Sequence, residues 1–417
     1  MQNDGNSGNR IGVNGFGRIG KMLLWYFAAD GYFDTAVVNT GREVGGGLED
    51  FAHALGTDST YGPAERFLRG VNAEREIRIV DDEKGIIDFF GLHIRVLRRA
   101  RDPRAIDWRG EGVGLVVDAT GKYLDPTQSP EREGGSLRGH LAAGASKVIA
   151  SAPFKIKDRS ADLPDDASMV IYGINHTEYD PLRHHVLSAA SCTTTGLAHM
   201  MKPLLEAEAT ARILTASLST IHAATNTQSV LDTVPKTGAS DLRKSRSVMN
   251  NIILSSTGAA RALEQVLPDI ARVGFMADSV RIPTSTVSLI NLNCTFHSPL
   301  DEKGQPAVTA QRINDIYREA ADGPQRGLLR FSAQQNVSVD LLGVPAAAVI
   351  EGHDTHTRTG FIDISPDMLR AAGAHEDAAL QVPVTHAKIF GWYDNEYGSY
   401  VTSLGKLASY VHQSGAR

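Results

Sequence analysis

The stretch "RIGVNGFGRIGKMLLWYFAADGYFDTAVVNT" (residues 10–40) has the pattern of a strand, a glycine turn, a helix and a second strand. Apolar, β-branched runs stand at both ends, and the helix-forming segment between them ends at Gly31. This is the pattern of a βαβ unit, in which two parallel strands are joined by a helix. The stretch therefore predicts an α/β fold that begins with a Rossmann-type unit.

Within the turn, Gly15, Gly17 and Gly20 form G-x-G-x-x-G. In such turns the first glycine permits the tight bend, the second lets a pyrophosphate approach the backbone, and the third lets the helix pack on the strand. The N-terminus of the following helix also attracts an anion. The pattern alone is weak, because glycine turns often serve packing only. Its place between a strand and a helix predicts dinucleotide binding by Gly15, Gly17, Arg18, Ile19 and Gly20.

Further short apolar segments alternate with helical ones up to about residue 190, which predicts a doubly wound, largely parallel sheet. These segments are "IIDFFGLHIRVLR", "VGLVVDATG", "KVIASAP" and "MVIYGIN". Longer strands follow in the second half, separated by helices, and they predict an α+β domain with a mixed or antiparallel sheet. They include "RILTASLSTIHAAT" (212–225), "TVSLINLNCTFHS" and "HAKIFGWYDN", with the helix "SSTGAARALEQVLPDI" between two of them.

The predicted boundaries divide the chain into a dinucleotide-binding domain at 1–191 and a catalytic domain at 192–394. We expect residues 1–9, a polar stretch, to be a disordered tail. The end of the chain, 395–417, carries an amphipathic helix that should pack back on the first domain. Its apolar stripe consists of Val401, Leu404, Leu407 and Val411.

The composition excludes several classes of protein. With 42 Lys and Arg against 48 Asp and Glu, the net charge of −6 argues against nucleic acid or an anionic membrane surface as the main partner. Two cysteines cannot form a disulfide framework, which favours a reducing, cytoplasmic location. No apolar run approaches the length of a membrane span. We predict no metal site.

One of the two cysteines lies in "SAASCTTTGLAHM" (188–200). The apolar stripe that follows places Cys192 at or just before a helix N-terminus, where the helix dipole lowers the pKa of a thiol. The stripe consists of Leu197, Met200, Met201, Leu204 and Leu205, and Pro203 within it is expected to kink or break the helix. Most lone cysteines are small buried hydrophobic residues, and Cys294, inside an apolar strand, fits that description. Cys192, crowded by hydroxyl residues, is a candidate nucleophile.

A thiolate nucleophile needs a base, and His222 at the end of a predicted strand is the candidate. A histidine at a strand end is more often an ordinary polar surface residue. If His222 assists Cys192, we expect its imidazolium form to lower the pKa of the thiol.

At this point six motifs resemble, in order, those of the phosphorylating glyceraldehyde-3-phosphate dehydrogenase family. They are "VNGFGRIG", "SCTTT", "STIHAATNTQ", "NNIILSSTGAAR", "VRIPTSTVSL" and "GWYDNEYGSY". The resemblance runs from about residue 10 to 415, interrupted by two stretches that look like insertions or surface loops, 125–139 and 351–381. It implies oxidation of glyceraldehyde 3-phosphate with NAD(P)+ and inorganic phosphate to 1,3-bisphosphoglycerate, and the reverse, in a homotetramer. It also implies that the loop 226–251 lies near the cofactor of a neighbouring subunit.

The resemblance implies a role for each matching residue. Cys192 forms a thiohemiacetal and then a thioester, and His222 is the general base. The substrate phosphate is held by Thr225 and Arg281, inorganic phosphate by Ser191, Thr193, Thr257 and Gly258, and Arg246 lies between the two sites. For Ser255–Thr257 in the group "SSTG", simple helix capping is the alternative, which the same geometry also satisfies. On the cofactor side the matching residues are Thr120, Gly121, Ser151 and Asn395.

The chain departs from the family pattern in several places. Thr195 and Gly196 replace the usual Asn and Cys after "SCTT", Ala189 replaces an Asn, and Ser399 precedes Tyr400 where the order is usually reversed. These changes are expected to loosen the support around the thiolate and the nicotinamide.

The second strand ends in Thr40, where NAD-preferring members carry an Asp that repels a 2′-phosphate. Arg42 is placed to meet that phosphate, so we expect use of NADP, alone or alongside NAD. Glu43 is the alternative, since it offers a carboxylate for NAD.

Two other functions share these motifs. An erythrose-4-phosphate dehydrogenase has the same chemistry, and a non-catalytic relative would use Cys192 as a redox switch. The set of Cys192, His222, Arg246 and Arg281 favours the enzyme, because a redox sensor needs no phosphate sites.

Overall fold

The computed structural model describes residues 8–158, 160–374 and 378–415. Most of the predicted tail 1–9, and residues 375–377 of the stretch 351–381, lie outside these ranges. The chain divides into two compact units. One holds the residues up to Cys192 together with those from Glu396 onward, and the other is Thr193–Asn395.

The first unit contains a nine-stranded sheet in the order β10-β11-β9-β8-β1-β2-β7-β6-β5 and a separate two-stranded ladder of β3 and β4. The strands are β1 (Arg10–Asn14), β2 (Thr35–Asn39), β3 (Thr57–Asp58), β4 (Gly62–Pro63), β5 (Ile77–Asp81), β6 (Ile86–Phe89), β7 (Leu92–Leu97), β8 (Leu115–Asp118), β9 (Lys147–Ala150), β10 (Ala167–Met169) and β11 (Val186–Ser188). Pairing is parallel from β10 to β7, and only β6 and β5 are antiparallel. The predicted, largely parallel sheet is confirmed.

The predicted strand "MVIYGIN" is wrong beyond its first residue, Met169. The side chain of Asn175 accepts a hydrogen bond from Ile171 N (2.9 Å) and donates one to Met169 O (3.0 Å). An Asn side chain that bonds nearby backbone groups closes a turn, and here it ends the strand despite the apolar composition.

The helices described before Cys192 are α1 (Arg18–Asp30), α2 (Leu48–Gly56), α3 (Ala64–Arg69) and α4 (Arg138–Ala142). Helix α1 ends as predicted at Gly31, whose φ of 71° is the left-handed conformation that glycine adopts at helix ends. Inside α1, Trp25 is fully buried and donates its indole N–H to Leu55 O (2.8 Å) in α2.

The second unit contains an eight-stranded mixed sheet, as predicted, in the order β13-β14-β12-β15-β19-β17-β16, with β18 paired to β19. Strand β12 is parallel to β14 and antiparallel to β15, and β15 is antiparallel to β19. The strands are β12 (Ile213–Ala223), β13 (Ile253–Ser256), β14 (Gly274–Ile282), β15 (Ser288–His297), β16 (Leu329–Ser332), β17 (Ala348–Glu351), β18 (His356–Ile364) and β19 (Leu380–Tyr393).

The helices of this part of the chain are α5 (Cys192–Glu206), α6 (Ala259–Val266), α7 (Ala310–Asp322) and α8 (Pro366–Ala371). Pro203 lies inside α5, which continues to Glu206, so the predicted break is wrong. Met200, Met201 and Leu204 are fully buried around it. Proline removes one backbone hydrogen bond, and the buried apolar face holds the helix together across that loss.

Two further predictions are corrected here. The helix expected from "SSTG" onward begins only at Ala259, because Ser255 and Ser256 belong to β13. The stretch 351–381 is not a surface loop over its described residues, since β18 pairs with β19 along its whole length and α8 follows. In the stretch 125–139, Asp125 and Leu137 are buried, so it lies only partly on the surface.

The chain ends in a π-helical turn, Tyr397–Val401, and helix α9 (Thr402–Gly415). The four residues of the predicted stripe are all buried. Within the first unit α9 lies beside α1, and the Tyr32 hydroxyl just after α1 is 2.9 Å from His412 Nδ1. Over the described residues, no helix has the length and apolarity needed to cross a membrane.

Candidate active site

The glycine turn of the first unit leaves room for an anion. Gly15 has a φ of 105°, and a Cβ there would approach Thr120 N to 3.1 Å. A Cβ on Gly20 would come within 1.9 Å of Gly15 O, so only glycine lets α1 begin this close to β1. A Cβ on Gly17 would meet nothing within 4 Å. The space beside Gly17, at the N-terminus of α1, fits the pyrophosphate of a dinucleotide.

The side chain of Arg18 is held away from that space. Its guanidinium forms ion pairs with Asp58 and with Glu396, the latter through Nε–Oε1 at 3.0 Å. Burial by itself would raise the pKa of Asp58, but hydrogen bonds from Arg18 and Lys21 outweigh it and lower that pKa to about 2. Because its guanidinium is engaged by these two carboxylates, Arg18 is expected to contact a cofactor through its backbone N–H.

The buried carboxylate of Asp118 forms hydrogen bonds with residues next to the glycine turn. Asp118 Oδ2 accepts hydrogen bonds from Asn14 Nδ2 (2.8 Å) and His140 Nε2 (3.0 Å), and Oδ1 accepts from Thr120 Oγ1 (2.6 Å) and N (3.1 Å). Trp108 Nε1, which can only donate, lies 2.9 Å from His140 Nδ1. This fixes His140 as the tautomer with its proton on Nε2, directed at Asp118.

A cavity of about 300 Å³ opens beside the glycine turn, and its lining combines the ends of β1 and β2 with three cations. The lining residues are Asn14, Gly15, Asn39, Thr40, Gly41, Arg42, Ala100, Arg101, Thr120, Lys122 and Tyr123. No carboxylate is among these described residues. Glu43, the alternative partner for a ribose, forms an ion pair with Arg98 (3.2 Å) and lines a different cavity.

Three more predicted positions lie in this unit. Gly121 has a φ of 65° in the turn after β8, and Ser151 N donates to Asp118 O (2.9 Å) at the end of β9. The Thr120 hydroxyl donates to Asp118 and accepts from Lys122 N (3.2 Å). These contacts order the loops at the carboxyl ends of β8 and β9.

Cys192 is the first residue of α5, in agreement with the sequence analysis, and it is partly exposed. The chain approaches it through Ala190, whose φ of 56° is unusual for a residue with a Cβ. Ser188 Oγ accepts from Ala190 N (3.1 Å), and the Tyr400 hydroxyl donates to Ala190 O (3.1 Å). Tyr400, one of the departures from the family pattern, thus holds the turn before the cysteine instead of loosening it.

In the second unit, the hydroxyl of Thr193 is 3.0 Å from the Tyr393 hydroxyl, which is 2.6 Å from Thr220 Oγ1. Tyr393 therefore links the first turn of α5 to β12. A Cβ on Gly196 would lie 3.3 Å from Ala347 O, so this replacement of the usual Cys lets α5 pack closely on its neighbours.

The structure brings His222 and Arg281 together as register partners on β12 and β14. His222 is 4% exposed, and its Nδ1 lies 2.7 Å from Ala223 O and 2.6 Å from Arg281 Nη1. Burial, and then the charge of Arg281, lower the pKa of His222 to about 4. With such a pKa the ring is neutral at pH 7, which differs from the imidazolium that the sequence analysis expects.

The described hydrogen bonds of the other predicted anion ligands are to groups other than His222 and Arg281. Thr225 N and Oγ1 contact Gln228 Oε1 in the turn after β12. Arg246 forms an exposed ion pair with Asp232 (2.9 Å). Thr257 Oγ1 accepts from Ala259 N (3.2 Å), which is the capping role, and Gly258 is the N-cap residue of α6. Ser191 directly precedes Cys192 in the first unit.

Asn395 is oriented by hydroxyl groups. Ser288 Oγ donates to Asn395 Oδ1 (2.8 Å) and accepts from Ala223 N (3.0 Å). Val287, between Thr286 and Ser288, has a φ of 64°, which is rare for a β-branched residue. This conformation lets both hydroxyls reach the 394–395 segment, since Thr286 bonds Asp394 (2.8 Å).

Cys294, by contrast, is 2% exposed in β15, and burial raises its pKa to about 12, as expected for an inert thiol. Within the described residues, no group of three or more His, Cys, Asp or Glu side chains is arranged to hold a metal ion.

Comparison with known proteins identifies the family. Residues 9–126 match the family described as glyceraldehyde 3-phosphate dehydrogenase, NAD binding domain, and residues 191–395 match its C-terminal domain. Glyceraldehyde-3-phosphate dehydrogenase 1 of Bacillus cereus is 31% identical over 97% of this chain and 99% of its own length. The enzymes of Streptomyces arenae (number 2, 32%) and Geobacillus stearothermophilus (31%) match with the same coverage.

The chain belongs to the glyceraldehyde-3-phosphate dehydrogenase family. It is therefore an oxidoreductase with a nucleotide-binding Rossmann domain, and the resemblance drawn from the six motifs is confirmed.

Sequence reasoning missed several residues of this dehydrogenase that position others. Asp58 and Glu396 hold Arg18, Asp118 organises the cofactor-side loops, and Tyr393 bridges Thr193 and Thr220. Tyr393 and Glu396 stand inside the quoted motif "GWYDNEYGSY", which was the one available signal. The cations Arg101 and Lys122 carried no signal, since each is an ordinary charge in a loop.

Proposed function

We propose that this protein is a phosphorylating glyceraldehyde-3-phosphate dehydrogenase. It oxidises glyceraldehyde 3-phosphate with NAD(P)+ and inorganic phosphate to 1,3-bisphosphoglycerate, and catalyses the reverse reaction. The family membership supports a dehydrogenase of this type, and the residues at the matching positions support the finer assignment. Cys192 and His222 are the proposed catalytic residues.

The contact between His222 and Arg281 is the observation that carries the proposal. A neutral, buried imidazole is suited to accept a proton, and a guanidinium is suited to bind a phosphate. Their atoms are 2.6 Å apart on neighbouring strands. A substrate recognised here is expected to carry a phosphate close to its reacting carbon, as in a phosphorylated aldehyde.

In the proposed reaction the Cys192 sulfur adds to the aldehyde carbon while the thiol proton passes to His222, giving the alkoxide of a thiohemiacetal. Bound NAD(P)+ supplies the hydride acceptor, and loss of hydride from that carbon leaves a thioester on Cys192. An oxygen of inorganic phosphate then attacks the thioester. The C–S bond breaks, the proton of the attacking phosphate passes to the Cys192 sulfur, the acyl phosphate leaves, and His222 releases its proton to solvent.

We propose that Arg281 and Thr225 bind the substrate phosphate and that Ser191, Thr193, Thr257 and Gly258 bind inorganic phosphate, with Arg246 between them. The start of α6 supports this, since backbone N–H groups at a helix N-terminus favour an anion. The hydrogen bond from Ala259 N to Thr257 Oγ1 is that of helix capping, and a phosphate would meet the N–H groups of the same turn.

For the cofactor, Asn395 is proposed to hold the nicotinamide carboxamide, while Gly15, Gly17, Gly20 and the backbone of Arg18 and Ile19 hold the pyrophosphate. Thr120, Gly121 and Ser151 are proposed to border it. The open space beside Gly17 and the orientation of Asn395 by Ser288 support these roles.

NADP is the proposed cofactor, alone or alongside NAD. Thr40 brings no charge to the cavity, whereas Arg42, Arg101 and Lys122 line it. Glu43 is engaged by Arg98, which weakens the alternative in which it binds the ribose of NAD. Arginine contacts a phosphate through two N–H groups at once, so a 2′-phosphate finds a complementary charge here.

The deciding experiment is a steady-state assay of the purified protein with glyceraldehyde 3-phosphate, inorganic phosphate and each nicotinamide cofactor, with erythrose 4-phosphate as the competing substrate. Cys192→Ser should abolish the phosphorylating activity while leaving cofactor binding intact, because a serine hydroxyl stays protonated near neutrality. Cys294→Ala, which removes the only other thiol, is the matched control and should remain active. Activity of Cys192→Ser within tenfold of wild type would refute the nucleophile.

A further inference from the structure

The stretch 125–139, where the resemblance to the family is interrupted, is fixed to the first unit at both ends. At its start the carboxylate of Asp125 is buried and accepts a hydrogen bond from Lys157 N (3.2 Å). At its end Arg138 donates to both carboxylate oxygens of Asp166, at 2.8 and 2.6 Å. A segment held at both ends presents the same backbone to the residues that it covers.

The middle of this stretch lies against Tyr123, which lines the cavity beside the glycine turn. A Cβ on Gly135 would come within 3.0 Å of Tyr123 Cε1 and 2.6 Å of Pro103 Cδ, so the backbone of Gly135 packs directly on both residues. Leu137 is fully buried in an apolar cluster that includes Tyr123, and Ala100 packs against that cluster. The stretch therefore fixes the position of the Tyr123 ring.

The hydroxyl of Tyr123 fixes in turn the loop that contains Arg101. It donates a hydrogen bond to Arg101 O (2.9 Å). The Nε–H of Arg101 then donates to Gly41 O (3.3 Å), in the turn after β2 that carries Thr40 and Arg42. A Cβ on Gly41 would lie 3.7 Å from Arg101 Cγ, so the loop lies directly on this turn. The contacts thus run from the stretch 125–139 to a cation of the cavity.

We infer that the stretch 125–139, acting through Tyr123, positions Arg101 against the Gly41 turn and so sets the preference for a cofactor with a 2′-phosphate. The inference rests on the proposed function, in which NADP is used. Tyr123 is here a positioning residue, and Arg101 is the cation that it positions.

Positioning matters because an arginine side chain has many conformations. Ordering a free side chain when a ligand binds costs conformational entropy, and this cost lowers the affinity. Arg101 is already held at its carbonyl by Tyr123 and at its Nε–H by Gly41 O, so it has less freedom to lose. A ligand gains from this in proportion to its contact with the guanidinium. A 2′-phosphate makes a charged contact, whereas the 2′-hydroxyl of NAD is neutral and gains less.

Two adjacent glycines of the stretch provide a matched pair of substitutions. Gly134 and Gly135 both have a left-handed backbone, with φ of 81° and 90°, so alanine strains the chain at either position. The added methyl group meets Tyr123 and Pro103 at Gly135, whereas at Gly134 it meets nothing within 4 Å. The difference between Gly135→Ala and Gly134→Ala therefore isolates the contact from the strain.

A second matched pair removes a single hydroxyl group. Tyr123→Phe deletes the donor to Arg101 O and keeps the ring, so it is the decisive variant if Gly135→Ala does not fold. Tyr179→Phe is its control, because the buried hydroxyl of Tyr179 has no hydrogen-bond partner among the described residues.

The kinetic measurement is the ratio of kcat/KM for NADP to that for NAD, with glyceraldehyde 3-phosphate and inorganic phosphate. Tyr123→Phe should lower this ratio about fivefold, the factor to which one neutral hydrogen bond corresponds. Gly135→Ala should lower it by at least as much relative to Gly134→Ala. Tyr179→Phe should keep the ratio of wild type. Equal losses with both cofactors in Tyr123→Phe, or an unchanged ratio, overturn the inference.

A binding measurement by calorimetry separates the inference from the proposed function, since it requires no catalysis. The probes are adenosine 2′,5′-bisphosphate, which carries the additional phosphate, and adenosine 5′-monophosphate, which lacks it. Wild type and Gly134→Ala should bind the bisphosphate more tightly, and this margin should shrink in Tyr123→Phe and Gly135→Ala. If wild type shows the margin and both variants keep it, NADP use stands and the inference is overturned. If wild type binds the two probes equally, the proposed use of NADP fails, and the inference fails with it.

Discussion

At the scale of single residues, the buried imidazole of His222 links the chemistry to the stability of the fold. Burial and the charge of Arg281 hold its pKa near 4, so the folded protein binds no proton there at neutral pH. An unfolded chain exposes the same ring, whose pKa returns to about 6.5. Between these two values only the unfolded state is protonated at this position.

The stability of the protein should therefore fall as the pH drops from about 6.5 to about 4, by up to ~1.4 kcal/mol per pH unit from this residue. Above pH 6.5 the effect is absent, since both states are neutral. His222→Gln lacks the titration, so the stability of wild type relative to the variant should decrease across this window. Urea unfolding at pH 7.5, 5.5 and 4.5 measures it, and parallel pH dependences would contradict the lowered pKa.

Cofactor choice is also decided by single side chains. If Arg42 meets a 2′-phosphate, Arg42→Ala should lower kcat/KM for NADP and leave that for NAD unchanged. Thr40→Asp should shift the preference towards NAD, because a carboxylate accepts from the ribose hydroxyls and repels the phosphate. Arg99→Ala, an exposed cation lining the neighbouring cavity, is the control. A tenfold preference of wild type for NAD, or equal losses with both cofactors in Arg42→Ala, would reject the assignment.

At the scale of elements, the glycine turn offers a matched pair of substitutions. A methyl group on Gly20 would overlap Gly15 O, so Gly20→Ala should lower the melting temperature or prevent folding. A methyl group on Gly17 meets no protein atom within 4 Å, so Gly17→Ala should melt like wild type. It should nevertheless weaken dinucleotide binding, measured by calorimetry, because the methyl occupies the space proposed for the pyrophosphate. Unchanged binding in Gly17→Ala would place the pyrophosphate elsewhere.

Whether a segment is a helix or a strand could be predicted where its apolar residues recur at the period of that element. The run of β1, α1 and β2, and the buried stripe of α9, agree with the sequence analysis. The prediction failed where a single side chain or a partner distant in the sequence determines the secondary structure. Asn175 turns an apolar run into a bend, and β18 forms a strand only because β19 lies beside it.

In the candidate site, too, some features could be predicted from the sequence and others could not. Cys192 at a helix start and His222 at a strand end could be found from local pattern and the family motifs. The contact of Arg18 with Glu396 joins residues 378 positions apart, and that of Thr193 with Tyr393 joins residues 200 apart. No local sequence pattern indicates such pairs, and none indicates that Arg281 approaches His222 Nδ1.

At the scale of the whole molecule, the proposed homotetramer makes a prediction about exposed apolar residues near the loop 226–251. Leu231 and Val234 are 73% and 91% exposed, which is unusual for neighbouring large apolar side chains. The double substitution Leu231→Asp and Val234→Asp should dissociate the assembly, measured by sedimentation or mass photometry. Leu182→Asp, at a position 89% exposed outside this loop, is the control. A monomeric wild type at micromolar concentration would refute the tetramer.

The first compact unit is assembled from both ends of the chain, and this imposes an order on biosynthesis. Two parts of this unit are made late: Glu396, which holds Arg18, and helix α9, which packs in the core of the unit. Both leave the ribosome only after the whole of Thr193–Asn395 has been made. At translation speeds of about 5–20 residues per second, the amino-terminal part waits roughly 10–40 s for its last partner. During that time the apolar surface that Leu404 and Leu407 cover in the folded unit remains exposed in the nascent chain.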